Sequence, residues 1–108
     1  YESDRTRIVL YDVAAKKKRV LTEAWQKSPL EITFSKDGTT IFTTADHLGN
    51  RAVFAISVAS GEAKALAEKN YHTDPRIAGD RLLFVRDSLV APVEVDHRIE
   101  SIRVPVRV

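Results

Sequence analysis

Residues 34–46 read FSKDGTTIFTTAD, in which two strand-like runs flank a tight polar turn at Asp37-Gly38. Asp-Gly between two such runs is a strong signal for a β-hairpin, because glycine adopts positive φ without strain. A looser copy of this unit, RIAGDRLLFVRD, begins at Arg76 and places Gly79 41 residues after Gly38. The hairpin is therefore predicted to be one copy of a repeated structural unit.

Two further repeats surround the hairpin. RIVLYDV from Arg7 is similar to AVFAISV from Ala52 at an offset of 45 residues, and KRVLTE from Lys18 is similar to KALAE from Lys64 at an offset of 46. A period of about 40–45 residues that contains four short strands is typical of β-propeller blades. The sequence therefore predicts an all-β fold of about two and a half four-stranded antiparallel blades.

The predicted blades divide the chain into three segments. With strands labelled A to D outward from the propeller axis, 1–29 holds strands C and D of one blade and a connection, 30–74 is a full blade, and 75–108 is the last full blade or its divergent end. Propellers typically contain four to eight blades, so the chain is expected to be part of a larger ring. Both ends of such a piece expose apolar blade faces. The strand candidates are 7–13, 19–22, 31–35, 40–45, 52–58, 63–67, 76–78, 81–86, 92–96 and 102–106, and one helical turn is predicted at 22–26.

Composition excludes several classes of function. The 108 residues carry 17 Lys and Arg against 15 Asp and Glu, and no Cys, which excludes disulfides and thiolate metal sites. The basic run at 16–19 has no interleaved aromatics and is predicted to be a solvated turn, so no nucleic-acid partner is expected. Apolar runs of five or six residues are far shorter than the roughly 20 of a membrane helix, so no membrane partner is expected. Because the chain begins at Tyr1 rather than Met, we interpret it as an internal piece or a processed product.

The hairpin unit resembles a blade motif found in propellers of the prolyl oligopeptidase superfamily and in TolB-like proteins. That motif is an apolar residue followed by Ser-Pro-Asp-Gly, two variable residues and an apolar strand; here Lys36 replaces the proline. Residues 1–96, including the Ser-Leu-x-x-Pro stretch at 88–92, are similar to the later blades of secreted dipeptidyl-peptidase V and bacterial acylaminoacyl peptidases. On this basis the chain is identified as similar to the propeller of an S9 serine peptidase.

This resemblance implies a partner domain and a substrate. It implies a secreted or periplasmic serine exopeptidase in which the propeller gates the access of small peptides to a C-terminal α/β-hydrolase domain. No Ser has the Gly-x-Ser-x-Gly context of that family's nucleophile, so no catalytic residue, metal ligand or cofactor is expected in this chain. The alternative is a TolB-like protein-interaction module without peptidase activity. Because the ring is incomplete, an oligomer is a third possibility.

Blade topology places the candidate binding residues. In a four-stranded antiparallel blade the A–B and C–D turns lie on one face of the propeller, and the B–C and D–A connections lie on the other. The second set is predicted to be longer, and long loops with aromatics favour binding. We predict that Trp25, Asp46, His47, Tyr71 and His72 lie there and contact substrate or hydrolase domain. The competing interpretations are that the aromatics fill gaps between blades and that Asp46-His47 is a solvated loop pair.

Overall fold

A computed structural model describes residues 7–22 and 25–104, except for the side chains of residues 90 and 91. Within these residues the chain is all-β, as predicted, and contains no helix. At the predicted helical turn, the Trp25 N–H donates to the Thr22 carbonyl at 3.1 Å, and residues 23 and 24 lie outside the described residues. The nine strands are β1 (Val9–Asp12), β2 (Lys17–Val20), β3 (Glu31–Phe34), β4 (Thr40–His47), β5 (Asn50–Ser57), β6 (Ala63–Ala67), β7 (Tyr71–Ala78), β8 (Arg81–Ala91) and β9 (Glu94–Arg103).

The strands form three consecutive antiparallel units. β1 pairs with β2, the strands β3 to β6 pair in chain order, and β7 to β9 pair in chain order. One parallel pair, Arg51 with Tyr71, links β5 to β7 and joins the last two units into a mixed sheet. We call the three units the first, middle and last sheets.

The middle sheet is covered on both faces. Ile41 and Ile56 lie on its back face and pack with Ile8 and Leu21 of the first sheet's hairpin. On its front face a second cluster joins it to the last sheet; this cluster contains Phe42, Val53, Ala55, Leu82, Phe84 and Val104. Two covered faces explain why residues 41–45 and 52–56 are buried without alternation.

Side chains at equivalent positions of the sequence repeat face equivalent neighbouring sheets. At the offset of 41, Ile41 corresponds to Leu82, and both side chains face the preceding sheet. At the offset of 45, Ile8 corresponds to Val53, and both face the following sheet. Each sheet therefore packs its front face against the back face of the next.

The Asp37-Gly38 turn is held by hydrogen bonds within five residues. Asp37 Oδ1 accepts hydrogen bonds from Ser35 Oγ at 2.7 Å, from the Thr39 N–H at 3.1 Å and from Thr39 Oγ1 at 2.8 Å. Ser35 Oγ accepts in turn from the Thr40 N–H at 3.1 Å. Gly38 has φ +76°, as the predicted hairpin requires. None of these hydrogen bonds involves residue 36, which explains why the turn forms with Lys36 in place of the motif's proline.

Several connections predicted as loops are strand. β4 continues through His47 and β5 starts at Asn50, so the predicted 46–50 loop is a two-residue turn. The predicted 87–91 loop belongs to β8, and the separate strands predicted at 92–96 and within 102–106 are one strand, β9. The ladder continues because Arg86 lies between two acids on the same face, 3.6 Å from Asp96 and 3.7 Å from Glu100. Residues 105–108, including the end of the predicted last strand, lie outside the described residues.

Apolar side chains are exposed at both ends of the stack, as expected. Val9 and Tyr11, 51% and 59% exposed, lie on the outer face of the first sheet. Ile99, 73% exposed, lies on the outer face of the last sheet. On the middle sheet, Ile32 and Phe34 of the edge strand β3 are exposed on the back face. The two-stranded first sheet covers β4, β5 and β6 at Ile41, Ile56 and Ala63 and leaves β3 open.

Candidate functional site

The connections separate into two ends of the molecule, as predicted. The turns at 13–16, 35–39, 58–62 and 79–80 lie at one end, where the Val58 N–H donates to the Thr39 carbonyl at 2.9 Å. We call this the turn end. The connections at 48–49, 68–70 and 92–93 lie at the opposite end, where the Asn70 N–H donates to Asn50 Oδ1 at 3.0 Å. We call this the polar end. Its fully described connections have two or three residues and those of the turn end two to five, so the prediction of longer loops at the polar end is wrong for them. Four of the five predicted binding residues lie at the polar end on strands rather than loops.

Arg51 contacts two of the predicted binding residues at the polar end. It is the register partner of Asp46 across β4–β5 and of Tyr71 across the single parallel pair. Its Nε donates to Asp46 Oδ1 at 3.4 Å, and its guanidinium carbon lies 4.4 Å from the centre of the Tyr71 ring. Such a cation–π contact orients the guanidinium. Two predicted residues, Asp46 and Tyr71, are thus brought together by an arginine that the sequence analysis did not select.

His47 forms the second part of the polar end. Its Nε2 lies 3.2 Å from Glu68 Oε1, which joins the β4–β5 hairpin to the segment after β6. Its ring meets Phe54 edge-on at 5.9 Å between centroids. Its Nδ1 is buried without a hydrogen-bond partner among the described residues. His47 and Asp46 therefore contact different partners and do not form one pair.

His72 is a core residue. It is 2% exposed, its Nε2 lies 2.6 Å from the Lys69 carbonyl oxygen, and its ring meets Phe84 edge-on at 5.2 Å. Burial lowers the pKa of His72 below the usual 6.5, and the positive charge of Arg86 adds to this, while the Lys69 carbonyl and Glu100 oppose it. The neutral ring donates from Nε2 to Lys69 and supports the start of β7. It does not reach a surface in this chain.

Trp25 fills space between sheets. Its ring meets Phe54 edge-on at 5.0 Å, and it packs with the apolar clusters on the back face of the middle sheet. The side chain is partly buried. This position matches the packing interpretation of Trp25 rather than an open binding loop.

A cleft between β3 and β7 was not predicted. The N–H of Asp74 donates to both carboxylate oxygens of Glu31 at 3.1 Å, and Arg76 Nε donates to Asp74 Oδ1 at 2.9 Å. Asp74 holds φ +57°, an uncommon conformation for a residue with a side chain. The cleft has a volume of about 610 Å³ and is lined by Glu31, Ile32, Thr33, Asp74, Pro75, Arg76 and Ile77. The contact joins residues 43 apart, and no local pattern signals it.

The arrangement is suited to binding. In the part of the chain that the structure describes, no group of three His, Cys, Asp or Glu side chains could hold a metal ion. Within the same residues no helix is long and apolar enough to cross a membrane. The polar end presents the Arg51 guanidinium, the Tyr71 ring, which is 45% exposed, and the Asp46 and Glu68 carboxylates. Arginine and carboxylate groups form charge-assisted hydrogen bonds.

Comparison of the chain with protein-family models, curated proteins and solved structures found no match in any of the three.

Proposed function

We propose that the chain is a non-catalytic β-propeller segment of an exported S9-type serine exopeptidase. In this proposal it gates and scaffolds the access of small peptides to a separate α/β-hydrolase domain. The observation that carries the propeller part is the middle sheet, a four-stranded antiparallel meander packed on both faces by its neighbours. The peptidase part rests on the resemblance of the blade motif around Asp37-Gly38, and of residues 1–96 more broadly, to the propellers of that superfamily, and the comparisons with known proteins add no support to it.

The position of the cleft supports the same proposal. β3 and β7 are the first strands of two successive meanders, and in a propeller such strands line the central channel. Their cleft is polar where they meet, because Glu31, Asp74 and Arg76 point into it. In the complete ring the cleft would form one sector of the channel through which a peptide passes.

The polar end supports a docking role. It carries the Arg51 group and the His47–Glu68 pair, which are charged and aromatic side chains held in place by neighbouring strands. We propose that the polar end faces the hydrolase domain and the peptide substrate. Asp46, Arg51 and Tyr71 are the residues assigned to this contact, with His47 beside them.

The test is the sequence of the parent gene beyond the codon for Val108. The proposal expects a Gly-x-Ser-x-Gly elbow, followed by an Asp and a His, within about one hydrolase domain of roughly 250 residues. A parent gene without such an elbow would refute the peptidase. A TolB-like protein-interaction module would then be the remaining function, with the polar end as its contact surface.

A further inference from the structure

The β1–β2 hairpin concentrates positive charge at the turn end. Residues 12–19 contain four cations, Lys16 to Arg19, and one carboxylate, Asp12, so their formal charge is +3. The whole chain has a formal charge of +2, so all its other residues together sum to −1. Asp12 also accepts a hydrogen bond from the Ala15 N–H, at 3.1 Å, which fixes its carboxylate to the turn. The excess positive charge of the chain is therefore a property of this hairpin.

The same hairpin ends in an apolar tip. Every residue from 11 to 20 is exposed, and the connection at 13–16 begins with Val13-Ala14-Ala15. Val13 is 76% exposed, and Tyr11, two residues before it, is 59% exposed. The tip lies at the turn end and not on a face of the stack, so further sheets packed on the outer faces would leave it open. Exposed apolar residues rimmed by charged ones mark an interaction surface.

Cations flank the tip on both faces of the hairpin. Lys18 is the register partner of Tyr11 and shares the outer face with it. Lys17 and Arg19 lie on the opposite face, where the Arg19 guanidinium donates to the Val58 carbonyl. A groove of about 460 Å³ on this side is lined in part by Lys17, Arg19 and Val58. A surface that meets the tip end-on would therefore contact the apolar residues and the cations together.

We propose that the hairpin tip docks on the anionic surface of a lipid bilayer, with Val13 at headgroup level and the lysines against lipid phosphates. Charge complementarity carries the choice of partner, because each Lys or Arg near such a surface raises the affinity about fivefold. A nucleic acid or an acidic protein segment would neutralise the cations but leave the apolar tip in water. Tyrosine beside the tip is also typical of membrane–water interfaces.

Such a contact is peripheral and needs no spanning segment, so the short apolar runs of the chain do not oppose it. It uses the end of the molecule opposite the polar end. The inference rests on the charge and exposure of the hairpin and does not depend on the peptidase proposal.

The test is co-sedimentation of the 108-residue chain with lipid vesicles. Vesicles of phosphatidylcholine with about 30% phosphatidylglycerol should bind the chain, and vesicles of phosphatidylcholine alone should not. Raising the NaCl concentration from about 0.1 M to about 1 M shortens the screening length from about 10 Å to about 3 Å and should release the chain. A chain that binds neither kind of vesicle refutes the proposal, and the hairpin is then a solvated turn. Binding to a single-stranded oligonucleotide without binding to anionic vesicles also refutes it and assigns the cations to nucleic acid.

Two charge variants test whether the hairpin carries the binding. The first neutralises the lysines of the tip: Lys16→Gln, Lys17→Gln and Lys18→Gln. Its affinity for the anionic vesicles should fall on the order of 100-fold, at about fivefold per lysine. The matched control removes three exposed cations elsewhere and should retain most of the binding: Lys36→Gln, Lys69→Gln and Arg81→Gln. Equal losses in the two variants would mean that net charge, and not the hairpin, drives binding.

Circular dichroism must show that both variants are folded. Arg19 is left unchanged because it donates to Val58. Lys18→Gln alone replaces a tip variant that does not fold and should weaken binding about fivefold.

A fluorescent label tests the orientation of the docked chain. The chain has no Cys, so one introduced cysteine can carry an environment-sensitive fluorophore. On anionic vesicles the emission from labelled Val13→Cys should shift to the blue, because the tip enters the headgroup region. Leu48→Cys, at an 87% exposed residue of the polar end, is the control and should show no shift. A shift from Leu48→Cys without one from Val13→Cys would overturn docking through the hairpin tip.

Discussion

The turn end and the polar end are built from the same strands but are stabilised by contacts of different range. At the turn end, Asp37 is held by Ser35 and Thr39, each two residues away. At the polar end, Arg51 contacts Tyr71, 20 residues later, and in the cleft between β3 and β7 Glu31 contacts Asp74, 43 residues later. The Asp37-Gly38 turn is therefore specified by local sequence, whereas the contacts of Arg51 with Tyr71 and of Glu31 with Asp74 form only once the strands have packed.

The largest effect is expected at the turn end, from Gly61→Ala. Gly61 has φ +80°, and a Cβ there would lie 2.5 Å from the Leu21 carbonyl oxygen of the first sheet's hairpin. Gly38 also has positive φ, +76°, but has open space around it. Gly38→Ala should cost about 1–2 kcal/mol for the left-handed backbone, and Gly61→Ala about 1–3 kcal/mol more for the clash. Urea denaturation of both variants measures the difference, and equal losses would mean that the Gly61 contact with Leu21 is not made.

The second prediction concerns His72, the buried histidine of the polar end. Because the pKa of His72 is lowered in the folded protein, the unfolded chain binds the proton more readily below about pH 6.5. The stabilisation that the neutral His72 ring provides should be complete above that pH. The free energy of unfolding should fall, by up to about 1.4 kcal/mol per pH unit, as the pH drops toward 5.

Chemical denaturation at pH 5, 6 and 7 measures this slope. His72→Gln, whose amide can still donate to Lys69, should reduce the slope. A slope that is unchanged in His72→Gln would assign the pH dependence to another group.

The third prediction tests how far the turn end depends on its internal hydrogen bonds. Ser35→Ala removes the donor to Asp37 and the acceptor of the Thr40 N–H, and should cost about 1–2 kcal/mol of unfolding free energy. The hydrogen bonds from Ser35 and Thr39 lower the pKa of Asp37 below the usual 3.8. The stabilisation from Asp37 should therefore persist to about pH 4 and disappear at lower pH. Thermal melts of wild type and Asp37→Asn between pH 2 and 5 should converge at the acid end; melts that stay parallel would contradict this.

The smallest effect on stability is expected from the Arg51 group. A double-mutant cycle of Arg51→Ala and Tyr71→Ala should give a coupling of about 0.5–1 kcal/mol, as for a partly exposed cation–π contact. Arg76→Ala with Tyr71→Ala is the control pair and should give no coupling beyond error. If Arg51 and Tyr71 also show none, the polar end is not preorganised as the proposed docking role requires.

Local signals predicted the fold class and the hairpin turns, while the arrangement of the sheets as propeller blades stays a prediction. The Asp37-Gly38 hairpin, the all-β class and the separation of the connections into two ends all followed from turn residues and strand spacing. The strand limits were wrong where charged residues continue a ladder. Residues 97–101 lie between the predicted strands 92–96 and 102–106 but belong to β9, where Glu100 lies 3.7 Å from Arg86 of the neighbouring strand. The candidate site was predicted in part. Asp46, His47 and Tyr71 were found as polar or aromatic residues near connections, whereas Arg51 and Glu31 could not be found because their partners are distant in sequence.

The outer part of the β8–β9 hairpin is expected to unfold locally before the rest of the molecule. Beyond Asp87, the last residue of β8 that pairs with β7, the hairpin is a two-stranded ribbon whose tip residue Val93 is 98% exposed. β4 and β5 are paired on both sides and buried on both faces, so their amides open only with the whole domain. In hydrogen exchange the ribbon should therefore lose protection first and the middle strands last. A protease added under native conditions would for the same reason cut first near the tip of the ribbon and leave the middle sheet intact.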